Sequence, residues 1–248
     1  MSRNREFAVV TGAASGIGRA TAQLLVDKGC WVLAVDKDSQ GLEALEAQTG
    51  ASTLCVDLGD PSDRSRVIAA GEGANYLVNA AGAILLKPIG SVTVEDWRKI
   101  QTVNAEAIFF LCQGLGPTIP AGGAIVNLSS SSAKLASTVE AAVYAASKTT
   151  ILSITRSFAY ALANVPVRVN AVCPAIIDTP MQDAVLDQVS SQRGITSEEL
   201  RISRNASIPM GRPGRPEELA RLIWFLLSDG GGYMTGQAIN FGGGMVTW

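Results

Sequence analysis

Tyr144 and Lys148 form the pair of residues in this 248-residue chain whose types and spacing best support proton transfer. They are four positions apart at the start of an apolar helical pattern, so their side chains lie on one helix face. A free tyrosine has a pKa of about 10, and a nearby ammonium group favours its phenolate. Tyr144 could therefore take a hydroxyl proton as hydride leaves the same carbon, or donate it in reduction. The alternative is an interfacial tyrosine beside a solvated lysine.

Serine and asparagine side chains upstream of this pair could assist it. Four consecutive serines, 129–132, follow a strand-like run, and a hydroxyl there could hold a substrate oxygen beside Tyr144. Asn104 lies within a helical pattern, where asparagine is unfavourable. It could bind a water that relays protons from Lys148, or it could bond a local backbone carbonyl.

The chain contains no histidine, which excludes Ser-His-Asp and Cys-His nucleophile systems. Its four cysteines form no Cys-x-x-Cys pair, so a zinc site is also disfavoured and we predict no metal. We interpret all four cysteines as buried free thiols in a reducing compartment.

Charge and hydropathy patterns exclude two kinds of partner. The net charge is -2 with acids and bases interspersed, so we expect neither a nucleic acid nor a membrane surface. No apolar run reaches membrane-spanning length, and the first residues lack a signal-peptide pattern. We therefore expect a cytoplasmic protein.

A glycine-rich turn between a strand-like run and a helical pattern indicates a dinucleotide site. Residues 11–18 read Thr-Gly-Ala-Ala-Ser-Gly-Ile-Gly. Gly12 would make the tight turn, Gly16 would let a pyrophosphate approach the backbone, and Gly18 would let the helix pack on the strand. The helix N-terminus would offer N–H groups to the phosphates. An ordinary βα loop is the alternative.

Acidic and amide residues end the next three strand-like runs. At Asp36, an acid can accept hydrogen bonds from the adenosine ribose and repel a 2′-phosphate, which favours NAD over NADP. The neighbouring Lys37 could still tolerate the phosphate. Asp57 could approach the adenine edge or merely close a turn. The sequence Asn-Ala-Ala-Gly at 79–82 would leave room for the cofactor, or form an ordinary turn.

The elements that must position these residues alternate along the chain. Apolar, β-branched runs predict strands at 7–11, 31–36, 52–56, 75–79, 123–129, 167–172 and 237–241. Longer patterns predict helices at 16–28, 39–48, 61–71, 93–115, 143–163 and 215–228. This alternation predicts a single α/β domain over 1–248, with a Rossmann-like doubly wound parallel sheet of about seven strands and helices on both faces. The charged, turn-rich segment 180–214 is interpreted as a substrate-binding lid.

Taken jointly, these motifs resemble the short-chain dehydrogenase/reductase family over essentially the whole chain. The marks are the turn at 11–18, the Asn-Ala-Ala-Gly at 79–82, Tyr144-x-x-x-Lys148 and a glycine-rich tail at 236–244. The resemblance implies a nicotinamide cofactor, a homotetramer, and four catalytic residues, Asn104, Ser130, Tyr144 and Lys148. It also implies a set of cofactor contacts: Gly12, Ser15, Gly16, Ile17, Gly18, Asp36, Asp57, Leu58, Asn79, Ala80, Ala81, Gly82, Tyr144, Lys148, Pro174, Ile177 and Thr179.

Three positions depart from the family pattern. The usual spacing from serine to tyrosine is one residue shorter than that from Ser130 to Tyr144, so counting back from the tyrosine selects Ser131 instead. Alignment of the strand selects Ser130, which we predict as the catalytic serine. Ala175 replaces the glycine that usually follows the proline, and Ala80 replaces an asparagine.

The segment 180–214 and its arginines suggest the substrate. The motif Gln-Arg-Gly at 192–194, with the short segment 57–79, is similar to a subgroup that includes cytosolic 3-hydroxybutyrate dehydrogenase and deoxy-sugar-acid dehydrogenases. A guanidinium can clamp a carboxylate with two hydrogen bonds, and the candidates are Arg193, Arg201, Arg204 and Arg212. They could equally solvate a mobile loop. We predict an NAD-dependent oxidoreductase of a small hydroxy acid or deoxy-sugar acid that contacts Ser130, Ser131, Tyr144 and Arg193.

Three alternatives remain open at this point. The first is an NADPH-dependent reductase of neutral ketones or 3-oxoacyl groups. The second is a non-catalytic dinucleotide-sensing protein that kept the fold. The third is a hydrolase built on Ser147 or the serine run, which would leave the glycine turn without a use.

Overall fold

Seven parallel strands form the centre of the molecule in the computed structural model, which describes residues 5–135 and 139–248. The strands are β1 (Phe7–Thr11), β2 (Trp31–Asp36), β3 (Ser52–Cys55), β4 (Tyr76–Asn79), β5 (Ala124–Leu128), β6 (Arg168–Pro174) and β7 (Ala238–Phe241). They pair in the order β3-β2-β1-β4-β5-β6-β7. The order reverses at β1, so a crevice opens there at the carboxyl ends of the strands. The predicted doubly wound parallel sheet is confirmed.

Helices cover both faces of this sheet. They are α1 (Gly16–Asp27), α2 (Ser39–Thr49), α3 (Pro61–Ala70), α4 (Val94–Gln101), α5 (Ala107–Leu115), α6 (Ala142–Leu162), α7 (Pro180–Arg193), α8 (Ser197–Ala206) and α9 (Pro216–Leu227). Ala8 and Val10 of β1 join one core with α1, α2 and α9, whereas Val9 joins another with α3, α5 and α6. Burial on both faces explains why the central strands are continuously apolar.

The helical stretch predicted at 93–115 is interrupted. Helix α4 ends at Gln101, a π-helical segment occupies Thr102–Glu106, and α5 begins at Ala107. The segment contains the buried Asn104, whose side chain bonds outside the helix. One wide turn is a common way to re-aim a side chain at a functional site.

The segment 180–214 was predicted to be turn-rich, and this is wrong for most of its length, because α7 and α8 lie within it. Both helices have strong N-terminal caps. The Thr179 hydroxyl accepts from the N–H of Gln182 and precedes Pro180, while Thr196 and Glu199 form a capping box. The sparse apolar residues of these helices hid their periodicity.

The four cysteines differ in their exposure. Cys30, Cys112 and Cys173 are buried, and burial raises the pKa of Cys112 to about 12. Cys55 is exposed because β3 is an edge strand, so the expectation of four buried thiols is wrong there.

Within the described residues, no helix combines the length and apolar character that crossing a membrane requires.

Candidate active site

A cavity of about 580 Å³ opens at the carboxyl ends of the central strands. It is lined by Ser130 after β5, by Tyr144 and Lys148 on α6, and by Pro174 at the end of β6. Three of the four predicted catalytic side chains therefore share one cavity, although they are separated by up to 18 positions in sequence. The fourth, Asn104, lies behind it.

Tyr144 lies in the first turn of α6 and is partly buried. Burial raises its pKa, because a phenolate loses hydration there, and hydrogen bonding to Ser130 acts in the opposite direction. The Ser130 hydroxyl oxygen also accepts from the N–H of Ser132 at 3.1 Å, which orients it at the end of β5. Ser131 lines the cavity as well. Of the two candidate serines, Ser130 is the one whose hydroxyl affects the pKa of the tyrosine.

Lys148 is almost fully buried, and its Nζ donates to the carbonyl oxygen of Leu128 at 2.8 Å. Burial lowers the pKa of this lysine to about 8, while the nearby Cys173 opposes the shift. Its Nζ lies 5.7 Å from the centroid of the Tyr144 ring. Lys148 was expected to lower the pKa of Tyr144, whereas burial of the phenol raises it.

Asn104 holds the chain after β4 against α6. Its Oδ1 accepts from the N–H of Ala83 at 2.7 Å, and its Nδ2 donates to the Ala83 carbonyl at 2.8 Å and to the Ser147 hydroxyl at 2.9 Å. The Ser147 hydroxyl in turn donates to the carbonyl of Tyr144. Asn104 therefore bonds a distant backbone segment instead of a local carbonyl. Ser147 is fully buried and already bonded, which argues against it as a hydrolytic nucleophile.

The glycine turn leaves no space for added side chains. Gly12 has φ +68°, and a Cβ there would lie 2.7 Å from the N of Ala81. A Cβ at Gly18 would lie 2.0 Å from the carbonyl oxygen of Gly12. The hydroxyl oxygen of Thr11 accepts from the N–H groups of Ala80 and Ala81, which ties β1 to the chain after β4. Sequence reasoning gave Thr11 no role.

The start of α1 is suited to an anion. Ser15 is the N-cap residue, and its side chain makes no capping hydrogen bond, so it leaves the first N–H groups of the helix available to an anion. Gly16 has φ +52° and no side chain, so a ligand can approach its backbone closely. An added Cβ at this position would lie 3.2 Å from the Cγ2 atom of Thr179. These features fit the pyrophosphate of a dinucleotide.

Asp36 lies at the end of β2, where the adenosine of such a cofactor would be held. Its Oδ2 accepts from the N–H of Ala14 at 3.0 Å, and its Oδ1 accepts from Lys37 at 2.7 Å and from Asp38 at 3.1 Å. The carboxylate is thus fixed beside the glycine turn. Sequence reasoning predicted a role for this acid but not its hydrogen bond with the N–H of Ala14 in the glycine turn.

The other predicted cofactor residues fall into three settings. Asp57 is exposed and its Oδ1 accepts from the N–H of Gly59 at 2.8 Å, which matches a turn-closing acid, whereas the adjacent Leu58 is buried in the core. Asn79 donates to the Asn127 Oδ1 at 2.8 Å and fixes the strand end. The remaining residues line the cavity: Ile17, Ala80, Gly82, Ile177 and Thr179.

The four arginines of the lid segment differ in their surroundings. Arg201 pairs with Asp183 at 3.2 Å, and Arg212 pairs with Glu218 at 2.8 Å. Arg193 and Arg204 line the cavity, and neither has a carboxylate within ion-pair distance in the part of the chain that the structure describes. Burial and the charge of Arg193 both lower the pKa of Arg204.

Sequence reasoning missed the apolar residues of the cavity. Ile84 and Leu86 follow β4, Ala141 precedes α6, and Val185 and Val189 lie on α7; together they form a small apolar cluster. The four-residue spacing of the two valines was a usable signal, but the charged residues around them obscured it.

Comparisons with known proteins agree with this geometry. A family model described as Enoyl-(Acyl carrier protein) reductase matches residues 12–246. The chain is 34% identical to 3-oxoacyl-[acyl-carrier-protein] reductase FabG of Thermotoga maritima over 96% of both chains. It is 30% identical to 2-keto-3-deoxy-L-fuconate dehydrogenase of Xanthomonas campestris over 95% of this chain and 78% of the other.

A solved structure agrees over nearly the whole chain. The short-chain dehydrogenase/reductase, glucose/ribitol dehydrogenase, from Brucella melitensis is similar with a TM-score of 0.89 and 31% identity, covering 98% of this chain and 97% of that one. The protein is thus of the class of nicotinamide-dependent oxidoreductases with a doubly wound sheet. It belongs to the short-chain dehydrogenase/reductase family and acts on CH–OH groups of alcohols or on the corresponding ketones, with NAD or NADP as cofactor.

Proposed function

We propose that this enzyme is an NAD-dependent dehydrogenase of small hydroxy acids, a class that includes deoxy-sugar acids. The observation that carries the proposal is the pair Arg193 and Arg204 in the cavity that also contains Tyr144. Arg193 is exposed and Arg204 is half-buried, and neither has a carboxylate partner among the described residues, so both guanidinium groups are available to an anionic group of the substrate. A guanidinium meets a carboxylate with two parallel hydrogen bonds.

The catalytic roles follow from the contacts of each side chain. The bound nicotinamide supplies the acceptor or donor of the hydride. Tyr144 holds or takes the proton of the reacting oxygen, and Ser130 holds that oxygen in position beside it. Lys148 adds positive charge below the tyrosine ring and would bind the nicotinamide ribose. Asn104 positions the start of α6 and would hold a relay water.

The choice of NAD rests on Asp36. Three backbone N–H groups hold its carboxylate in place, and it would accept from ribose hydroxyls while repelling a 2′-phosphate. Lys37 beside it is exposed and could turn toward solvent.

The proposal also covers the number of subunits, the movement of α7 and α8, and the cellular location of the enzyme. We propose a homotetramer, which would cover exposed apolar residues such as Phe109 and Phe110 on α5 and Trp248 at the C-terminus. Helices α7 and α8 would act as a lid over the substrate, and the enzyme would work in the cytoplasm. Light scattering in solution would report the number of subunits.

A second candidate is an NADPH-dependent reductase of neutral ketones or 3-oxoacyl groups. The 34% identity to the Thermotoga maritima reductase favours it. Asp36 disfavours it, because this carboxylate would repel a 2′-phosphate. Arg193 and Arg204, which pair with no carboxylate among the described residues, also disfavour it, because a neutral ketone would not use them. A sensor without catalysis would have no use for the cluster of Ser130 and Tyr144.

The test is a panel of acids and neutral alcohols with NAD and NADP, followed by nicotinamide absorbance. Arg193→Gln should raise the KM for acids by about 10- to 100-fold, since a charged hydrogen bond contributes roughly 1.5–3 kcal/mol. Its kcat and the turnover of neutral alcohols should change little. The matched control is Arg201→Gln, because Arg201 is already paired with Asp183. An unchanged KM for every acid in Arg193→Gln would contradict the proposal.

A further inference from the structure

One wall of the cavity has no role in the chemistry described so far. It consists of Ile84, Leu86, Ala141, Val185 and Val189, called here the apolar wall. Leu86, Ala141 and Val185 are buried, and the other two pack against them. Ala141 is three positions before Tyr144, and both residues line the cavity, so the apolar wall and the tyrosine belong to the same site.

Helix α7 connects this wall to the arginines. Met181, Val185, Val189 and Arg193 recur every four residues and all line the cavity, so one face of α7 runs along it. At 1.5 Å per residue, Arg193 lies about 12 Å along the helix axis from Val185. The face is apolar over about two turns, from Met181 to Val189, and becomes cationic at Arg193.

Charge is also divided between the two ends of the cavity. Glu140 lines it directly before Ala141, and its carbonyl accepts from the N–H of Lys87, next to Leu86. Arg193 and Arg204 lie beyond ion-pair distance from this carboxylate. An acidic group of a substrate is therefore attracted to the arginine end of the cavity.

We infer that the substrate is a hydroxy acid whose group beyond the carbinol carbon is alkyl or aryl, and not polyhydroxylated. This inference rests on the proposed function and narrows it. With the carboxylate at the arginines and the carbinol oxygen at Tyr144 and Ser130, the remaining arm lies against the apolar wall. Hydroxyl groups on that arm would lose water there without gaining a partner from the aliphatic side chains.

The experiment compares 3-hydroxybutyrate, 3-hydroxypentanoate and 3-hydroxyhexanoate with a six-carbon polyhydroxylated acid, gluconate, using NAD. Each added methylene should raise kcat/KM about fourfold, the value expected for burying one CH₂. Val189→Thr, which exchanges a methyl for a hydroxyl at nearly equal volume, should flatten this rise at least threefold over the series. Ala184→Ser is the matched control, because Ala184 is exposed on α7; it should leave the rise unchanged.

The outcomes separate the two levels of the proposal. A flat series in the wild type, or a higher kcat/KM for gluconate than for 3-hydroxyhexanoate, would overturn the apolar arm while leaving a hydroxy-acid dehydrogenase. Turnover of neutral alcohols without turnover of any acid would overturn the proposed function itself. An unchanged rise in Val189→Thr and in Val185→Thr, with both variants folded by circular dichroism, would also remove the wall from substrate recognition.

Discussion

The proposed cofactor end and the proposed substrate end of this site are built from different parts of the polypeptide. At the cofactor end the geometry lies in the backbone, in the positive φ angles of Gly12 and Gly16 and in N–H groups at the start of α1. At the substrate end it lies in side chains of α7 and α8, such as Val189 and Arg193. A backbone-built site excludes any added atom, whereas a side-chain-built site can change specificity without changing the fold.

The two ends also differ in how they are attached. The glycine turn lies between β1 and β4 at the centre of the sheet. Helices α7 and α8 bond mainly to each other, through Ser197 with Asp187 at 2.8 Å and Ser190 at 3.1 Å, and through Arg201 with Asp183. Contacts with the rest of the molecule include the hydrogen bond that the Gln188 side chain donates to the Leu86 carbonyl oxygen. We therefore expect the pair of helices to be the part of the proposed site that adapts to a substrate.

The largest effect is expected where the two ends meet, at Tyr144. Tyr144→Phe should lower kcat by roughly 10³-fold, because general acid–base catalysis contributes about 10²- to 10⁴-fold. Binding of NADH, followed by fluorescence, should stay within a few-fold. Tyr160→Phe is the control, since Tyr160 is exposed on the same helix. Equal loss in both variants would point to damage of α6 instead of proton transfer.

Gly18→Ala should show how strictly the backbone-built end excludes added atoms. The new Cβ would lie 2.0 Å from the Gly12 carbonyl oxygen, so α1 must shift. We expect a loss of about 3 kcal/mol in the free energy of unfolding, measured with urea, and weaker cofactor binding. Gly29→Ala has φ +87° and no atom within 4 Å, so it should cost only about 1 kcal/mol. Similar losses would mean that α1 shifts to relieve the overlap at little cost, so the turn would not exclude the added atom.

Asp36→Ala should change the cofactor preference while leaving the substrate end alone. Loss of the carboxylate should raise the ratio of kcat/KM for NADP to that for NAD by about tenfold or more, since a repulsive group is removed. The KM for NAD should also rise, because the N–H of Ala14 loses its acceptor. Asp38→Ala is the control, as Asp38 caps α2 through the N–H of Gly41. A preference that does not move would leave the choice of cofactor to other residues.

The smallest effect is expected in the pH dependence of stability. Lys148 has a folded-state pKa of about 8, below its ordinary value of 10.5, so the unfolded chain binds more protons between these values. Stability due to this group should therefore rise by about 1 kcal/mol from pH 7 to pH 9. The rise should disappear in Lys148→Met, which is checked by the difference in urea midpoints at the two pH values. An identical pH dependence in both proteins would place the ammonium in a hydrated setting.

Most of the features that could be predicted from the sequence depend on patterns among neighbouring residues. The alternation of strand and helix patterns predicted the doubly wound sheet, and the turn at 11–18 predicted where a dinucleotide would bind, because strand, turn and helix are adjacent in sequence. Tyr144 and Lys148 share a helix face for the same local reason. The site roles assigned to Asn104, Asp36 and Arg193 remain predictions.

The tertiary structure decided what depends on segments that are distant in sequence. It showed that Asn104 clamps Ala83 and Ser147, that the hydroxyl of Ser130 interacts with Tyr144, and that burial raises the pKa of this tyrosine. It also showed which lid arginines have acidic partners.

The sequence by itself determined the sheet and the glycine turn, since glycine conformation and strand periodicity are properties of neighbouring residues. Only the tertiary structure decided the substrate end. Ion pairing and burial there, as in Arg201 with Asp183 and Ala141 with Val185, depend on which side chains meet across the fold.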